Sequence, residues 1–512
     1  MSKCSNVVFR ADASVAIGTG HLMRCLTLAD VLRDFGWSSH FVCIDDGSGL
    51  VEMVFRRGHG FTRLPRGAAT ENAVACSTPP HAAWLLSDPM VDADATAEVA
   101  SRLQASHIVV DHYALDEAWH TRVRGRHPVR LVAIDDLADR FHDVDVLIDP
   151  NVGHEPSMYS HCVKEGTRIL AGQRFCLLRE MFLQQREGSL SRRTAHPPSH
   201  LLVFMGGVDL PDATTHVLRS LEQVRGVPHV HVLMGGAAPR LVAVRDLLNN
   251  VPYQATLRVD VENMASLMAA MDVAIGAAGS SAWERCCLGL PSVVISCADN
   301  QRTVLNALVC HGAARAVEAH DTEALVAAVQ SLLDDGMERQ RLSAASAALV
   351  DGLGARRVAL AMRDDGPLLR RATAEDATTV FPWRNAEVTR RFFRDPLELR
   401  LESHRAWWLT RLQQTDCDLL IAEYGRVKVG VARLDIQGRA AEVSIYLDPD
   451  LHGLGLGRKI LDKAREWCQA HRPTVAELLA QIDPRNLASH RAFSTAGYEL
   501  WDSQWWRLKL FP

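Results

Sequence analysis

Nowhere in the 512-residue chain does an apolar stretch run long enough, and free enough of charge, to span a bilayer, so no membrane partner is expected. Long runs of one charge sign are missing too. Charged residues make up 23% and the formal net charge is -5, a balance that gives nucleic acid no obvious footprint. There is no CxxC pair and no regular cysteine spacing. The 12 cysteines are scattered, mostly inside apolar runs, and read as reduced core residues, with no metal site expected. Residues Met1 to Asn6 precede only a short apolar stretch before Arg10 and Asp12, too brief for a secretory h-region, and a cytoplasmic location is expected. Low-complexity segments are absent. What is present is a globular composition, 47% hydrophobic, at a length that suggests about three domains at roughly 150 residues each.

The first region alternates short β-rich runs (7–9, 107–110, 129–134, 144–148) with helical patterns such as 21–35, which argues for βαβ units around a parallel sheet. A polar, basic, proline-containing stretch at 184–199 reads as an interdomain linker. The pattern then restarts at 201–205, 229–234, 257–259, 271–275 and 291–295. The expectation is an α/β pair of Rossmann-like domains facing one another across a cleft, 1–190 and 196–365. After Asp364, Asp365, Gly366 and Pro367 the character changes, with frequent tryptophans, helix first and then strands at 419–423, 427–435 and 441–447. A third domain of α+β type is expected over 367–512. Beyond the loose likeness of the two Rossmann-like halves there is no internal repeat.

Gly18, Thr19, Gly20 and His21 stand between a strand and a long amphipathic helix. The glycines allow a tight turn that sets His21 at a helix N-terminus on the C-terminal edge of the sheet. There the helix dipole disfavours imidazolium, so a neutral ring can accept a proton near pH 7, and His21 is a candidate general base; helix capping is the other reading. In the second half, Gly276, Ala277, Ala278, Gly279, Ser280 and Ser281 lead from a strand into a helix carrying Glu284. Open amides and two hydroxyls at a helix start suit a diphosphate, and Glu284, one turn in, suits a ribose diol. The same residues also serve turns for steric reasons alone. Gly206-Gly207 and Gly235-Gly236 follow strands and could line the same cleft.

Taken together, Phe9 to Asp12, Ile17 to Cys25, Val110 to Tyr113, Ile134 to Asp136, Leu147 to Asn151 and Cys297 to Gln301 resemble the UDP-2,4-diacetamido-2,4,6-trideoxy-β-L-altropyranose hydrolases of pseudaminic acid biosynthesis. The likeness covers 6 to about 360. That family is similar to two-Rossmann glycosyltransferases of the B type, but it passes the sugar to water. The resemblance implies His21 as the base that activates water, in a cleft also lined by Asp12, Tyr113 and Asn300. Gly18, Gly20, Gly279, Ser280, Ser281 and Glu284 would hold the UDP-sugar, and displacement by water would invert the anomeric centre. Asp12 as a turn cap, Tyr113 as a packed wall and Asn300 as a partner of its own loop are the plainer readings. His112, Asp135 and Asp136 are left outside the expected catalytic set, because loop carboxylates are more often solvated or turn-forming.

The third region places Asp448 to Lys459, with Gly453, Gly455 and Gly457, between the strand at 442–447 and the helix at 460–469. Amides exposed by such a turn, backed by a helix start and two cations, form a pyrophosphate cradle. The arrangement resembles GNAT acyltransferases. It implies acetyl-CoA as co-substrate, its pyrophosphate on the amides of Leu454, Gly455, Gly457 and Arg458, and Asn486 on the cofactor arm. His452 replaces the usual first residue of the loop, and Phe493 stands where a tyrosine acid is common. Glu442 and His404 are candidate bases, or surface charge pairs. Leu369 to Ala377, Trp383 to Asn385 and His404 to Trp408 look like the acetyltransferase one step upstream of the hydrolase. The resulting expectation is a bifunctional enzyme acting on UDP-amino sugars. The alternatives are a UDP-sugar glycosyltransferase, or a UDP-sugar-binding module, fused to an acetyltransferase of other specificity.

Overall fold

Runs of valine, isoleucine and leucine buried on both faces, such as 107–110 and 273–275, form strands of parallel sheets covered by helices on each side. The computed structural model describes residues 5–12, 20–44, 50–66, 81–193, 196–297 and 301–511. Two compact units result, Met1–Val31 with Ser38–Val358, and Leu32–Trp37 with Ala359–Pro512.

Among the described residues, the first unit holds two sheets. The first contains β1 (Ser5–Ala11), β2 (Trp37–Ile44), β3 (Gly60–Leu64), β4 (Ala105–Asp111), β5 (Arg130–Ile134), β6 (Val146–Asp149) and β7 (Arg168–Ala171), in the order β3-β2-β1-β4-β5-β6-β7. The second contains β8 (His200–Phe204), β9 (His229–Met234), β10 (Ala255–Val259), β11 (Val273–Ala277), β12 (Ser292–Ile295) and β13 (Arg315–Val317), in the order β10-β9-β8-β11-β12-β13. Each order reverses direction once, between β1 and β4 and between β8 and β11. A doubly wound sheet opens a crevice at the carboxyl ends of its strands at such a reversal.

The part of the stretch 184–199 that runs to Arg193 does not behave as an open linker. Residues through Ser191 complete the helix Glu180–Ser191, whose basic side chains cap carbonyls of the second sheet's helices. Arg186 donates to the Ala347 and Val350 carbonyls at 2.7 and 3.0 Å, and Ser189 to that of Leu288 at 2.7 Å. Just beyond it, Arg192 donates to the Ala269 carbonyl at 3.1 Å. The last carbonyls of a helix lack intrahelical partners and carry partial negative charge, so cations gather there. The basic composition that suggested a linker is a set of helix C-caps.

The second unit is built on β14 (Leu368–Arg371), β15 (Cys417–Tyr424), β16 (Val427–Gln437), β17 (Ala440–Leu447), β18 (Glu477–Gln481), β19 (Glu499–Asp502) and β20 (Trp505–Lys509), in the order β14-β15-β16-β17-β18-β20-β19. Neighbours are antiparallel except β17 and β18, which run parallel and pair only from Ala440 to Glu442 against Glu477 to Leu479. Beyond that point β17 continues to Leu447 and β18 to Gln481. The two strands therefore part, leaving backbone groups on facing edges for another extended chain.

One buried ion network anchors the first sheet. Arg10, fully enclosed, donates to Asp92 at 2.6 to 3.0 Å and to Asp12 at 2.6 and 2.9 Å, and the Trp119 indole donates to Asp92 at 2.9 Å. Removing one member strands the other charge in a dry interior. Asp92→Ala is expected to lower the stability of the β1/β4 region by about 3–5 kcal/mol, read as lost hydrogen-exchange protection in urea. The exposed Asp94, paired with Arg122 and Arg126, is the control, and Asp94→Ala should leave that protection unchanged.

Candidate active sites

His21 is the second residue of the helix Gly20–Asp34, the first helix in the chain after β1. Because β1 lies beside β4, the ring comes to the last residue of β4, and its Nδ1 lies 2.5 Å from Oδ1 of Asp111. Asp111 has no exposed surface. Burial alone would raise its carboxyl, but Arg24 and His21 hold it well below the usual carboxylate range. The ionised carboxylate only accepts, so the proton of a neutral His21 ring sits on Nδ1 and Nε2 is left as the acceptor. A buried carboxylate orienting an imidazole in this way is the arrangement that makes a general base.

Arg24, one helical turn beyond His21, clasps Asp111 through Nε and Nη2 at 2.5 and 2.6 Å and reaches Asp136 through Nη1 at 3.1 Å. Asp136 also accepts from the Tyr113 hydroxyl at 2.5 Å and from Asn151 Nδ2 at 3.2 Å. Tyr113 stands edge-on to His21, ring centres 4.5 Å apart. The helix after β1 and the ends of β4, β5 and β6 thus converge on one hydrogen-bonded cluster. His21 and Tyr113 meet within it as the sequence suggested, while Gly18 and Asn300 lie outside the described residues. Gly20 opens the helix, with free space where a side chain would project.

Asp12 is not an open carboxylate. Its Oδ1 accepts from Arg10 and from the Ile44 amide at 2.6 and 2.8 Å, and its Oδ2 from Arg10 at 2.9 Å with His112 Nε2 3.5 Å away. Both oxygens are occupied in anchoring the end of β1. His112 is itself buried, and its Nδ1 accepts from the Ala114 amide at 3.1 Å. Asp135 accepts from the Ala138 amide at 3.0 Å and pairs with Arg140 at 2.7 Å. Asp136, by contrast, is central to the cluster. Sequence reasoning missed it, together with Asp111, Arg24 and Asn151. The available signal was spacing: Arg24 lies three residues beyond His21 on one helix face, and Asp111 ends an apolar strand.

In the second sheet, Ser281 begins the short helix Ser281–Cys287 after β11. Its first bonds run from the Ala282 amide to the Gly279 carbonyl at 2.8 Å and from Trp283 to Ser280 at 3.1 Å, so the helix itself makes no use of the amides of 279–281. Beneath the turn lies Arg285, fully buried, which donates to the Ala277 carbonyl at 2.9 Å and the Ser281 hydroxyl at 3.2 Å. Any Cβ on Gly276 would collide with this guanidinium and come within 2.9 Å of the Phe204 carbonyl. Glu284 Oε1 accepts from Arg179 at 2.9 Å, and burial pushes the Glu284 carboxyl up against the pull of that cation. Gly235 packs on Gly207, its amide donating to the Gly207 carbonyl at 2.8 Å, which joins the turns after β8 and β9.

In the second unit, the turn after β17 holds Gly453 and Gly455 at φ of 82° and 77°, a region costly for side chains. The helix Leu456–His471 then starts. Gly457 serves a different need, since a Cβ there would stand 3.3 Å from Ala492. Leu454 anchors the turn in the core, while Arg458 is largely exposed beside Asp462 at 3.7 Å. Asn486 Oδ1 accepts from the Ser489 amide at 3.1 Å, capping the helix Leu487–Thr495. Phe493 is buried against Tyr498. Across the parting strands, Arg394 donates to Glu442 on β17 at 2.6 Å and to Gln481 on β18 at 2.9 Å. The buried Tyr446 hydroxyl on β17 has no partner among the described residues.

One trio among the described residues has metal-ligand chemistry: His200, His229 and His231, with nitrogens within 4.8 Å of one another. Arg258 Nε donates into His231 Nδ1 at 3.4 Å, and His231 Nε2 lies 3.1 Å from His200 Nδ1. A ring that accepts on Nδ1 carries its proton on Nε2. The trio is therefore a hydrogen-bonded chain beside a fixed cation, a poor host for a dication.

Residues 201–357 match the glycosyltransferase family 28 C-terminal domain, and residues 368–499 match the acetyltransferase (GNAT) domain. An uncharacterized protein of Methanocaldococcus jannaschii is 21% identical over 508 residues, 95% of each chain. The UDP-2,4-diacetamido-2,4,6-trideoxy-β-L-altropyranose hydrolase of Campylobacter jejuni is 21% identical over 265 residues, 51% of this chain and 81% of that one. The crystal structure of MurG from Acinetobacter baumannii is similar in fold over 69% of this chain and 98% of its own, with 14% identity and a TM-score of 0.50. The chain joins a module similar to UDP-sugar hydrolases, built on two Rossmann-like domains of glycosyltransferase-B type, to an acetyltransferase domain of the GNAT kind.

Proposed function

We propose that the chain is a bifunctional cytoplasmic enzyme of nucleotide-sugar metabolism. Its GNAT domain transfers acetyl from acetyl-CoA to the 4-amino group of UDP-4-amino-4,6-dideoxy-N-acetyl-β-L-altrosamine. Its first unit hydrolyses the product, UDP-2,4-diacetamido-2,4,6-trideoxy-β-L-altropyranose, to the free sugar and UDP. The observation that carries the hydrolytic reading is the Asp111–His21 pair at the β1/β4 reversal, with Nδ1 engaged by a buried carboxylate and Nε2 left as acceptor.

In this mechanism Nε2 of His21 takes a proton from water as the oxygen attacks the anomeric carbon. The bond to the diphosphate breaks with its electron pair passing to the β-phosphate oxygen, and a single displacement inverts the centre. Tyr113 packs beside the base and Asp12 anchors the floor, and the resemblance to the hydrolases adds Asn300 to the set. Amides at Gly279, Ser280 and Ser281, with Glu284 for the ribose, hold UDP. Acetyl-CoA lies along the edge of β17, its pyrophosphate on the amides from Leu454 to Arg458, and its thioester supplies the acetyl group. Glu442 or His404 takes the amine proton.

The likeness of residues 201–357 to a glycosyltransferase domain favours one second reading, transfer to a sugar or lipid acceptor. Release of UDP without any acceptor separates the two. Mass spectrometry of the protein with acetyl-CoA and UDP-4-amino sugars should detect first the acetylated nucleotide sugar, then UDP and free sugar. His21→Ala is expected to slow UDP release by about 100- to 10,000-fold while sparing acetyl transfer; loss of both activities in a folded protein contradicts separate sites. Gly455→Asp, which adds negative charge to the cradle, should raise the KM for acetyl-CoA at least about tenfold and leave hydrolysis unchanged. Unaltered acetyl-CoA affinity refutes that placement.

A further inference from the structure

Adjacent strands of the first sheet end in buried aspartates, and each has its own cation: Arg10 for Asp12, Arg24 for Asp111, Arg140 for Asp135 and His154 for Asp149. The first three are guanidiniums, which titrate outside any working pH. The fourth is an imidazole. His154 Nδ1 lies 2.5 Å from Asp149 Oδ2, and Asp149 is fixed from two further sides, by the Asn151 amide at 3.0 Å and the Tyr159 hydroxyl at 2.9 Å. With Nδ1 committed, Nε2 is the nitrogen left for a ligand, and 9% of the side chain stays exposed.

The segment carrying His154 also joins the two halves of the unit. Asn151 donates to Asp136, the carboxylate that holds Arg24 and Tyr113 beside His21. Val152 is fully buried in the core shared with Leu202, Trp283 and Leu308 of the second sheet's domain. Gly153, at φ of 81°, has room for no Cβ, which would stand 2.9 Å from Ala307 on the helix Arg302–Cys310. His154 is therefore carried on a rigid loop that touches the base cluster on one side and the nucleotide half on the other.

We propose that His154 is a second catalytic residue of the hydrolytic site, its protonated Nε2 meeting the leaving diphosphate as the sugar–oxygen bond breaks. The inference rests on the hydrolase reading above and deepens it. As His21 takes one proton from water, His154 hydrogen-bonds or protonates the departing β-phosphate oxygen, so the negative charge released by bond cleavage is met where it develops. Water and the UDP-sugar give free sugar and UDP, with no other reactant. The groups facing His154 suit the role. Asp149 holds its pKa above the ordinary imidazole value against the opposing effect of burial, Asp136 and Asp135 add to the rise, and the un-ionised Tyr159 adds no positive charge.

The test measures UDP release from the acetylated nucleotide sugar as a function of pH. His154→Gln should lower kcat about 100-fold or more with the KM changed less than about threefold. A folded pKa raised by Asp149 keeps the ring charged to higher pH, so wild-type kcat should fall as pH rises through that pKa. His154→Arg, which keeps the charge, should recover at least about a tenth of the rate and abolish that alkaline limb. Asp149→Asn should move the limb to lower pH. A ring that only tethers its loop predicts a lowered thermal midpoint with kcat and pH profile unchanged, and that result overturns the proposal. If His21→Ala loses hydrolysis while His154→Gln keeps it, this inference fails and the hydrolase reading stands. If the wild type releases no UDP, the parent reading itself fails.

Discussion

The carboxylate of Asp111 has no contact with solvent, and a charge so placed must be matched or the fold cannot form around it. Its match comes from the helix Gly20–Asp34, the first after β1, through Arg24 as a two-pronged clasp and His21 as a single hydrogen bond. The pairing fixes the rotation of that helix, and with it the direction in which His21 presents its second nitrogen. It also sets the site at the β1/β4 reversal, where the winding of the sheet changes direction.

The same logic extends along the sheet. Parallel strands deliver their last residues to one edge, and aspartates there accept from the amides of the turns that follow, as Asp135 does from Ala138 and Asp149 from Asn151. Several carboxylates on one edge would repel one another if left bare. The structure interleaves them with cations, and the choice of cation divides scaffold from chemistry. A guanidinium keeps its charge under all working conditions and can only hold geometry. An imidazole can give or take a proton, and along this edge His21 and His154 are the imidazoles that keep a partly exposed face while paired to a buried carboxylate.

Much of this was legible in the sequence. Strand runs at 107–110 and 201–205 coincide with strands because buried parallel strands are written as near-continuous apolar segments, and those at 229–234 and 441–447 coincide where apolar residues alternate with polar ones. His21 was readable because two glycines and a periodic helix frame it. Asp111, Arg24 and Asp136 were not, since they become partners only when strands 4 and 5 stack beside strand 1, a pairing distant in the chain and invisible to local spacing. The basic stretch at 184–199 misled for a related reason: arginines that cap buried carbonyls look, in one dimension, like arginines in water.

Two glycine-rich turns that read alike turn out to differ in physics, and the difference bears on how each could hold a phosphate. The turn before the helix Leu456–His471 needs Gly455 for its backbone conformation, and the 16-residue helix behind it brings a full set of aligned peptide dipoles. There the backbone can do most of the binding. The turn before Ser281–Cys287 backs onto only seven helical residues, and its buried Gly276 is required by the guanidinium of Arg285 packed beneath. A short helix offers a weaker dipole, so an anion at that turn must draw on side chains: the hydroxyls of Ser280 and Ser281, and the positive charge of Arg285 under the loop. The first turn should therefore tolerate side-chain changes and resist backbone ones, whereas the second depends on the identity of a residue that never reaches the surface.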